Sequence, residues 1–523
     1  MTAKTRYDYL SGERTQFLDE AEEAAELTLP YLITKDQYSK GMRHLPTPWQ
    51  SVGAKCAVTL AAKLMQSMLP VQTSFFKLQV DESQLGQEFG PQIKSELDLS
   101  FAKIERTILE AIAASNDRVI VHEALLHLVV AGNALIFMGK DGLKVYPLNR
   151  YVVERDGNGN VIEIITKETI AKKLIEDQLP EDVLKQYDTV VDGSDDNVEE
   201  CDIYTHIKRD NNRYVWHQEV HGTILEKSHG KAPVDITPWI PLRFNTVDGE
   251  DYGRGRVGQF IGDLKSLEAL SQALVEGSAA AAKVVFTVSP SSTTKPSTLA
   301  NAGNGAIVQG RPDDIGVVQV GKSADFGTAF QMMQQLERRL NEAFLVMQVR
   351  QSERTTAEEV RLTQMELEQQ LGGLFSLLTT EFLLPYLNRI LNQFQKAGKI
   401  PRLPKDIVKP TIVAGVNALG RGQDRESLGQ FLTVISQTMG PEAVQKFINP
   451  EEVIKRLAAS QGIDVLNLVR SMQEIQGEQQ QAQQMAMQQQ QAENQTAMMK
   501  TPMMDPSKNP ALVPQDTPPE INE

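Results

Sequence analysis

Two long helical patterns, separated by an interval rich in proline, serine, threonine and glycine, constrain this chain more than any other feature. The first runs from Gly258 to about Phe286. Its apolar residues Phe260, Ile261, Leu264, Leu267, Leu270 and Leu274 recur every three or four positions, which is one helix face. At about 1.5 Å per residue, the pattern predicts a rod roughly 40 Å long. The interval spans Ser289-Pro290 through Gly321, and the second helix carries Phe326, Phe330, Met333, Leu336, Leu340, Phe344 and Met347 at the same spacing. Two helices with one apolar stripe each cannot cover both stripes and their flanks as an isolated pair. Other copies of the same chain are the simplest cover. The pattern reads as the wall of a ring.

The rest of the chain predicts an α+β fold. Residues up to about Pro46 read as a helical arm containing the acidic run Asp19-Glu20-Ala21-Glu22-Glu23. In Leu45-Pro46-Thr47-Pro48-Trp49, Thr47 is placed to cap the next helix and Pro48 to occupy its first turn. Phe75 to Val80 reads as a strand and Pro91 to Ala114 as a helix. Asn116 or Asp117 caps another helix that ends at Ala131-Gly132-Asn133, before the apolar run Ala134 to Met138. From Leu143 the period becomes that of strands. Tyr151 to Arg155 and Val161 to Thr166 flank the hairpin signal Asp156-Gly157-Asn158-Gly159-Asn160, and further strands are expected at Asp202–His206, Arg213–His221 and Pro241–Asn245. Beyond the central stretch, Thr355 and Thr356 form capping-box spacings with Glu358 and Glu359. The helix they start is expected to bend at Gly372-Gly373 and at Pro385. A short strand at Thr411–Ala414, helices from Gln423 to about Gln473, and a Gln/Met-rich then proline-rich end complete the chain.

Composition excludes several classes. With 523 residues, 41% hydrophobic and 23% charged, the chain can form two or three domains with sizeable cores. No cationic segment followed by an apolar run opens it, so no signal peptide is expected. Val121 to Met138 is interrupted by His122, Glu123, His127 and Asn133, and a bilayer span needs roughly 20 nearly unbroken apolar residues, so no membrane segment is expected. Cys56 and Cys201 are expected as reduced thiols. The net charge of −15 argues against gripping nucleic acid through its phosphates, though not against letting it slide past.

Chemical motifs are weak. Gly253-Arg254-Gly255-Arg256-Val257-Gly258 matches the dinucleotide fingerprint in letters, but follows a polar turn with no βαβ unit around it; a flexible helix start is the simpler reading. A monomeric nucleotide-binding enzyme built on that turn is the alternative function. Asp156, Asn158 and Asn160 imitate a calcium loop, but Val161 and Lys167 stand where the glycine and the bidentate acid belong. His217 and His221 have the spacing of a helical zinc pair, yet lie in a strand pattern that sets them about 13 Å apart. No catalytic, cofactor-binding or metal residue is assigned, and no enzyme activity is expected. On the second long helix, Gln331, Gln334, Gln335, Arg338, Asn341, Gln348 and Gln351 fall near one face. They form either a solvated surface or a channel lining of neutral polar groups. The loop Val349-Arg350-Gln351-Ser352-Glu353-Arg354 is either a plain helix connection or a projection into that channel.

A family resemblance runs through the chain in order. Pro46-Thr47-Pro48-Trp49-Gln50-Ser51-Val52-Gly53-Ala54, Leu128 to Asn133, Tyr204-Thr205-His206-Ile207, Asp263 to Glu268, Gly310 to Ile315, Thr356 to Arg361 and Gly420 to Asp424 resemble the head-to-tail connector, or portal, proteins of T7-like short-tailed phages. Asp251 and Gly255 depart from it, standing where relatives carry small hydroxyl residues. The resemblance implies a portal fold in a dodecameric ring at one capsid vertex of the virion, assembled in the host cytoplasm. Double-stranded DNA would pass without sequence specificity. The implied partners are the major capsid protein and scaffold, the terminase large subunit and a tail adaptor protein, with no membrane and no cofactor. It implies a wing over 1–250, stem helices over 251–286 and 323–347, and a clip over 287–322. It further implies a channel loop over 348–355, a bent wing helix over 356–400, a wing strand and crown helices over 401–470, and a tail over 471–523. Arg350, Gln351, Glu353 and Arg354 would face DNA, with Arg354 in the position of a channel-valve arginine. Lys295, Arg311, Asp313 and Asp314 of the clip would meet motor and tail.

Overall fold

A computed structural model describes residues 2–34, 45–70, 74–80, 91–140, 142–171, 200–282, 285–292, 295–303, 323–346, 372–403 and 408–412. It also describes 307, 309, 311, 313, 315–318, 429, 431–438, 453 and 487. The chain divides into units Met1–Ala418 and Leu419–Glu523. In the second, residues 431–438 are helical with Phe431 and Val434 exposed.

The first unit begins with α1 (Ala3–Glu26), followed by α2 (Val52–Met68), β1 (Phe76–Val80), α3 (Pro91–Ala114) and α4 (Asp117–Ala131). Next come β2 (Asn133–Met138), β3 (Leu143–Tyr146), β4 (Tyr151–Arg155), β5 (Val161–Ala171), β6 (Glu200–Asp210) and β7 (Arg213–Val220). The short β8 (Thr223–Ile224) and β9 (Gly230–Pro233) precede β10 (Trp239–Arg243). Strands β4 to β8 pair in sequence as an antiparallel meander, and β9 joins β7. A second sheet runs β10-β2-β3. The fold is α+β, with helices first and strands after.

The hairpin between β4 and β5 turns on Asp156, whose carboxylate accepts the N–H groups of Asn158 (2.9 Å) and Asn160 (2.8 Å), with Gly159 at φ +79°. Strands β5 and β6 extend further than alternation predicts, because their outer ends still pair with each other from Lys167–Tyr204 to Ala171–Glu200. The first half of α1 lies on this sheet. Ala3, Tyr7 and Leu10 pack with Val152, Ile165 and Tyr204, and Arg6 bonds Glu154 and Glu163. Burial opposes ionisation of Glu163, but hydrogen bonds with His206 and Arg6 outweigh it and hold its carboxyl at about 2. The larger core joins α2, α4, β2 and β10 through Leu60, Leu64, Leu128, Val129, Leu135, Ile136 and Leu242.

Several element ends differ from the sequence expectation. The second helix starts at Val52, not at Pro48, and Thr47 does not cap it. Glu268, far along the chain, instead accepts the N–H groups of Trp49 (2.8 Å) and Gln50 (3.3 Å), while Gln50 Oε1 accepts Gly53 N–H at 2.8 Å. The strand expected at Thr411–Ala414 begins earlier, at Val408, and is described to Ile412, because it aligns antiparallel with the whole of β1; residues 413 and 414 lie outside the described residues. Pro385 lies just inside a helix (Leu384–Lys396) that is preceded by a π-turn at Thr379–Leu383. The wider turn accommodates the N–H that proline lacks.

Candidate functional site

The site grows from an elbow at Asp251–Gly255. Asn133, the first residue of β2, donates from Nδ2 to the Gly253 carbonyl and accepts Gly253 N–H at Oδ1, both at 2.7 Å. A Cβ on Gly255 would stand 2.5 Å from the Val130 carbonyl oxygen, and one on Gly253 would stand 2.8 Å from Arg243 Cβ. The glycines let two backbones touch. The elbow is therefore close-packed rather than flexible. Beneath it, Arg243 grips Glu381 through Nε (3.0 Å) and Nη2 (2.7 Å), and Arg155 N–H donates to Asp251 at 2.8 Å. Burial lowers the Arg155 guanidinium pKa and raises that of the Asp251 carboxyl.

From the elbow run α5 (Arg256–Gln259) and α6 (Ile261–Ala282). The expected single helix to Phe286 stops at Ala282, and Phe286 belongs to β11 (Val285–Val288), which pairs antiparallel with β12 (Ile315–Val318). A short α7 (Pro296–Ala300) lies between these strands in sequence, and α8 (Ser323–Ala343) returns alongside α6. Three contacts fix the antiparallel register. Arg339 Nε bonds Asp263 at 2.7 Å, Ser271 Oγ meets Met333 Sδ at 3.7 Å, and Gly277 offers the space that Phe326 fills.

Burial falls away along this pair. Leu264, Leu267, Leu340 and Phe344 are at most 1% exposed, Met333 and Leu336 are half-buried, and Val275 (53%), Phe330 (48%) and Met332 (52%) are open. One end of the pair is rooted in the core and the other stands clear of it. Gln331, Gln334, Gln335 and Arg338 are exposed, with Arg338 bonding Glu342 one turn on at 3.0 Å. Asn341 departs from that face. It is 3% exposed, because its position faces the rooted end of the pair beside Leu340 and Phe344. Gln348, Arg350, Gln351, Glu353 and Arg354 lie outside the described residues, as does Asp314. Lys295, Arg311 and Asp313 are exposed around the two-stranded ribbon. Lys63 and Arg256, which no local sequence pattern singles out, both reach the end of α8.

His221 turns out of β7 at φ +47°, so it does not share a strand face with His217. His217 sits instead between His206 and His229, with ring centroids at 5.3 and 5.9 Å. Among the described residues, no three histidine, cysteine or acidic side chains are arranged to hold a metal ion, and no helix is long and apolar enough to cross a membrane.

The family described as bacteriophage head to tail connecting protein matches residues 1–468. The portal protein of Escherichia phage T7 is 36% identical over 486 residues, spanning 91% of this chain and 89% of its own length. That of Enterobacteria phage T3 is 37% identical, spanning 89% and 88%. The portal protein of Enterobacteria phage SP6 is 30% identical, spanning 84% and 85%. Matched from its first helix through the protruding pair and beyond, the chain belongs to the bacteriophage head-to-tail connecting, or portal, protein family.

Proposed function

We propose that this portal protein closes into a dodecameric ring at one capsid vertex, with α6 and α8 as the stem around an axial channel for double-stranded DNA. The observation that carries the reading is the fall in burial along the helix pair. Val275, Phe330 and Met332 are left uncovered by their own chain, on helices whose other exposed positions are polar or small. Neighbouring copies would cover them. Residues 1–250 with 356–400 would then form the wing, 287–322 the clip, 401–470 the wing strand and crown, and 471–523 the tail. Lys295, Arg311, Asp313 and Asp314 would meet the terminase large subunit and later a tail adaptor. The major capsid protein and scaffold would surround the ring during assembly in the host cytoplasm. The role is structural and mechanical, with no substrate transformed.

The net charge of −15 suits a conduit. Acidic walls repel phosphates, so the duplex meets no deep minimum along the bore. Gln331, Gln334, Gln335 and Gln348 would wet it without holding it. Arg350 and Arg354 of the channel loop, beside Gln351 and Glu353, would touch it at one level and retain the packaged genome. Arg354→Ala is expected to leave ring yield unchanged and lower the nuclease-protected DNA per head. Wild-type retention by intact Arg354→Ala rings would reject the loop's role.

A further inference from the structure

Helix α8 ends in a way its sequence disfavours. Leu345 sits at φ +59°, in the left-handed region where glycine is the usual occupant. Leu345 N–H donates to the Glu342 carbonyl at 3.1 Å, and Val346 N–H to the Asn341 carbonyl at 2.7 Å. These are the two closing bonds of a Schellman termination, here built on leucine. Two cations from other helices complete it. Arg256 Nη2 donates to the Ala343 carbonyl at 2.9 Å, and Lys63 Nζ donates to the Leu345 carbonyl. Both meet the negative end of the helix dipole. Arg256 also lies over the Phe260 ring at 5.0 Å, and Phe260 packs on Phe344 at 5.6 Å. Burial lowers the pKa of both cations, so holding them here has a cost that solvent exposure would avoid.

We propose that Lys63 and Arg256 are positioning residues, which hold the left-handed turn at Leu345 and so fix the direction in which the chain leaves the helix pair. Glycine at 345 would end the helix without strain but would also permit other exits. Leucine clamped by two cations permits one. The proposal rests on the reading of Arg350 to Arg354 as the DNA-facing loop, since that reading gives the exit direction its consequence.

The test uses full-length chains in assembled heads: Lys63→Met, Lys63→Arg, Arg354→Ala and the Lys63→Met/Arg354→Ala double variant. Ring yield is read by electron microscopy and retention as nuclease-protected DNA per head. Lys63→Met is expected to form rings yet retain several-fold less DNA, while Lys63→Arg retains it. The double variant should lose no more than Arg354→Ala alone, because both act through one loop. If Arg354→Ala loses DNA while Lys63→Met rings hold it fully, the positioning role is overturned and the loop reading stands. If Arg354→Ala rings hold all their DNA, the loop reading fails, and Lys63 is judged by hydrogen exchange of the Val346 amide in the ring. Faster exchange in Lys63→Met supports the clamp, and unchanged exchange overturns it. Should Lys63→Met not assemble, Arg256→Gln carries the same expectations on the neighbouring carbonyl.

Discussion

A methyl group on Gly255 would meet the Val130 carbonyl oxygen at 2.5 Å, and backbone cannot yield there as a side-chain tip could. Gly258, in the same short run, has nothing within 4 Å of its would-be Cβ and lies in α5. Gly255→Ala is therefore expected to destabilise the chain by about 2 kcal/mol or more, from forced separation of packed backbones. Gly258→Ala should be neutral or stabilising by up to about 1 kcal/mol, since alanine is the better helix former. Urea unfolding of both variants measures this, and a Gly255→Ala chain as stable as wild type would contradict the close-packed elbow. The glycines themselves are legible in the sequence, but their reason is not. Asn133 and Val130 approach from over a hundred positions away, and a local spacing rule carries no trace of them. Thr47 illustrates the same limit, because the carboxylate that serves the start of α2 comes from Glu268.

At the scale of elements, helices and strands follow from hydrophobic period, while their ends follow from partners. Pro91–Ala114 and Tyr151–Arg155 are read to the residue, because each is bounded by local turn chemistry. The far-end strand begins at Val408 rather than Thr411 because β1 sets its register, and β11 interrupts what the period reads as helix. Glu381 binds elements together in a way no period reveals. From the π-turn it accepts Arg243 Nε and the backbone N–H of Arg243 itself, joining that helix to β10. Glu381→Ala leaves Arg243 and Arg155 without this half-buried carboxylate, and is expected to cost about 3 kcal/mol. Replacing the pair together, as Glu381→Leu with Arg243→Met, should recover much of that loss. Denaturant midpoints decide it, and a loss below about 0.5 kcal/mol for Glu381→Ala would show that the ion pair is not holding the helix.

For the whole molecule, the decisive property is a helix pair rooted at Leu264 and Leu340 and bare at Val275 and Phe330. The sequence displays the apolar stripes but not this gradient, since periodicity marks a face without saying how much of it the chain's own core covers. Asn341 shows the converse, a polar residue read with the exposed face and buried at the root. Copies of the chain are expected to cover the bare portion by closing around an axis. Electron microscopy of the purified chain in detergent-free buffer tests this most directly, with Phe330→Asp as the comparison. Wild type is expected to give annular particles with a central hole, and Phe330→Asp fewer rings at unchanged helical content by circular dichroism. A wild-type chain that stays single at high concentration would contradict it.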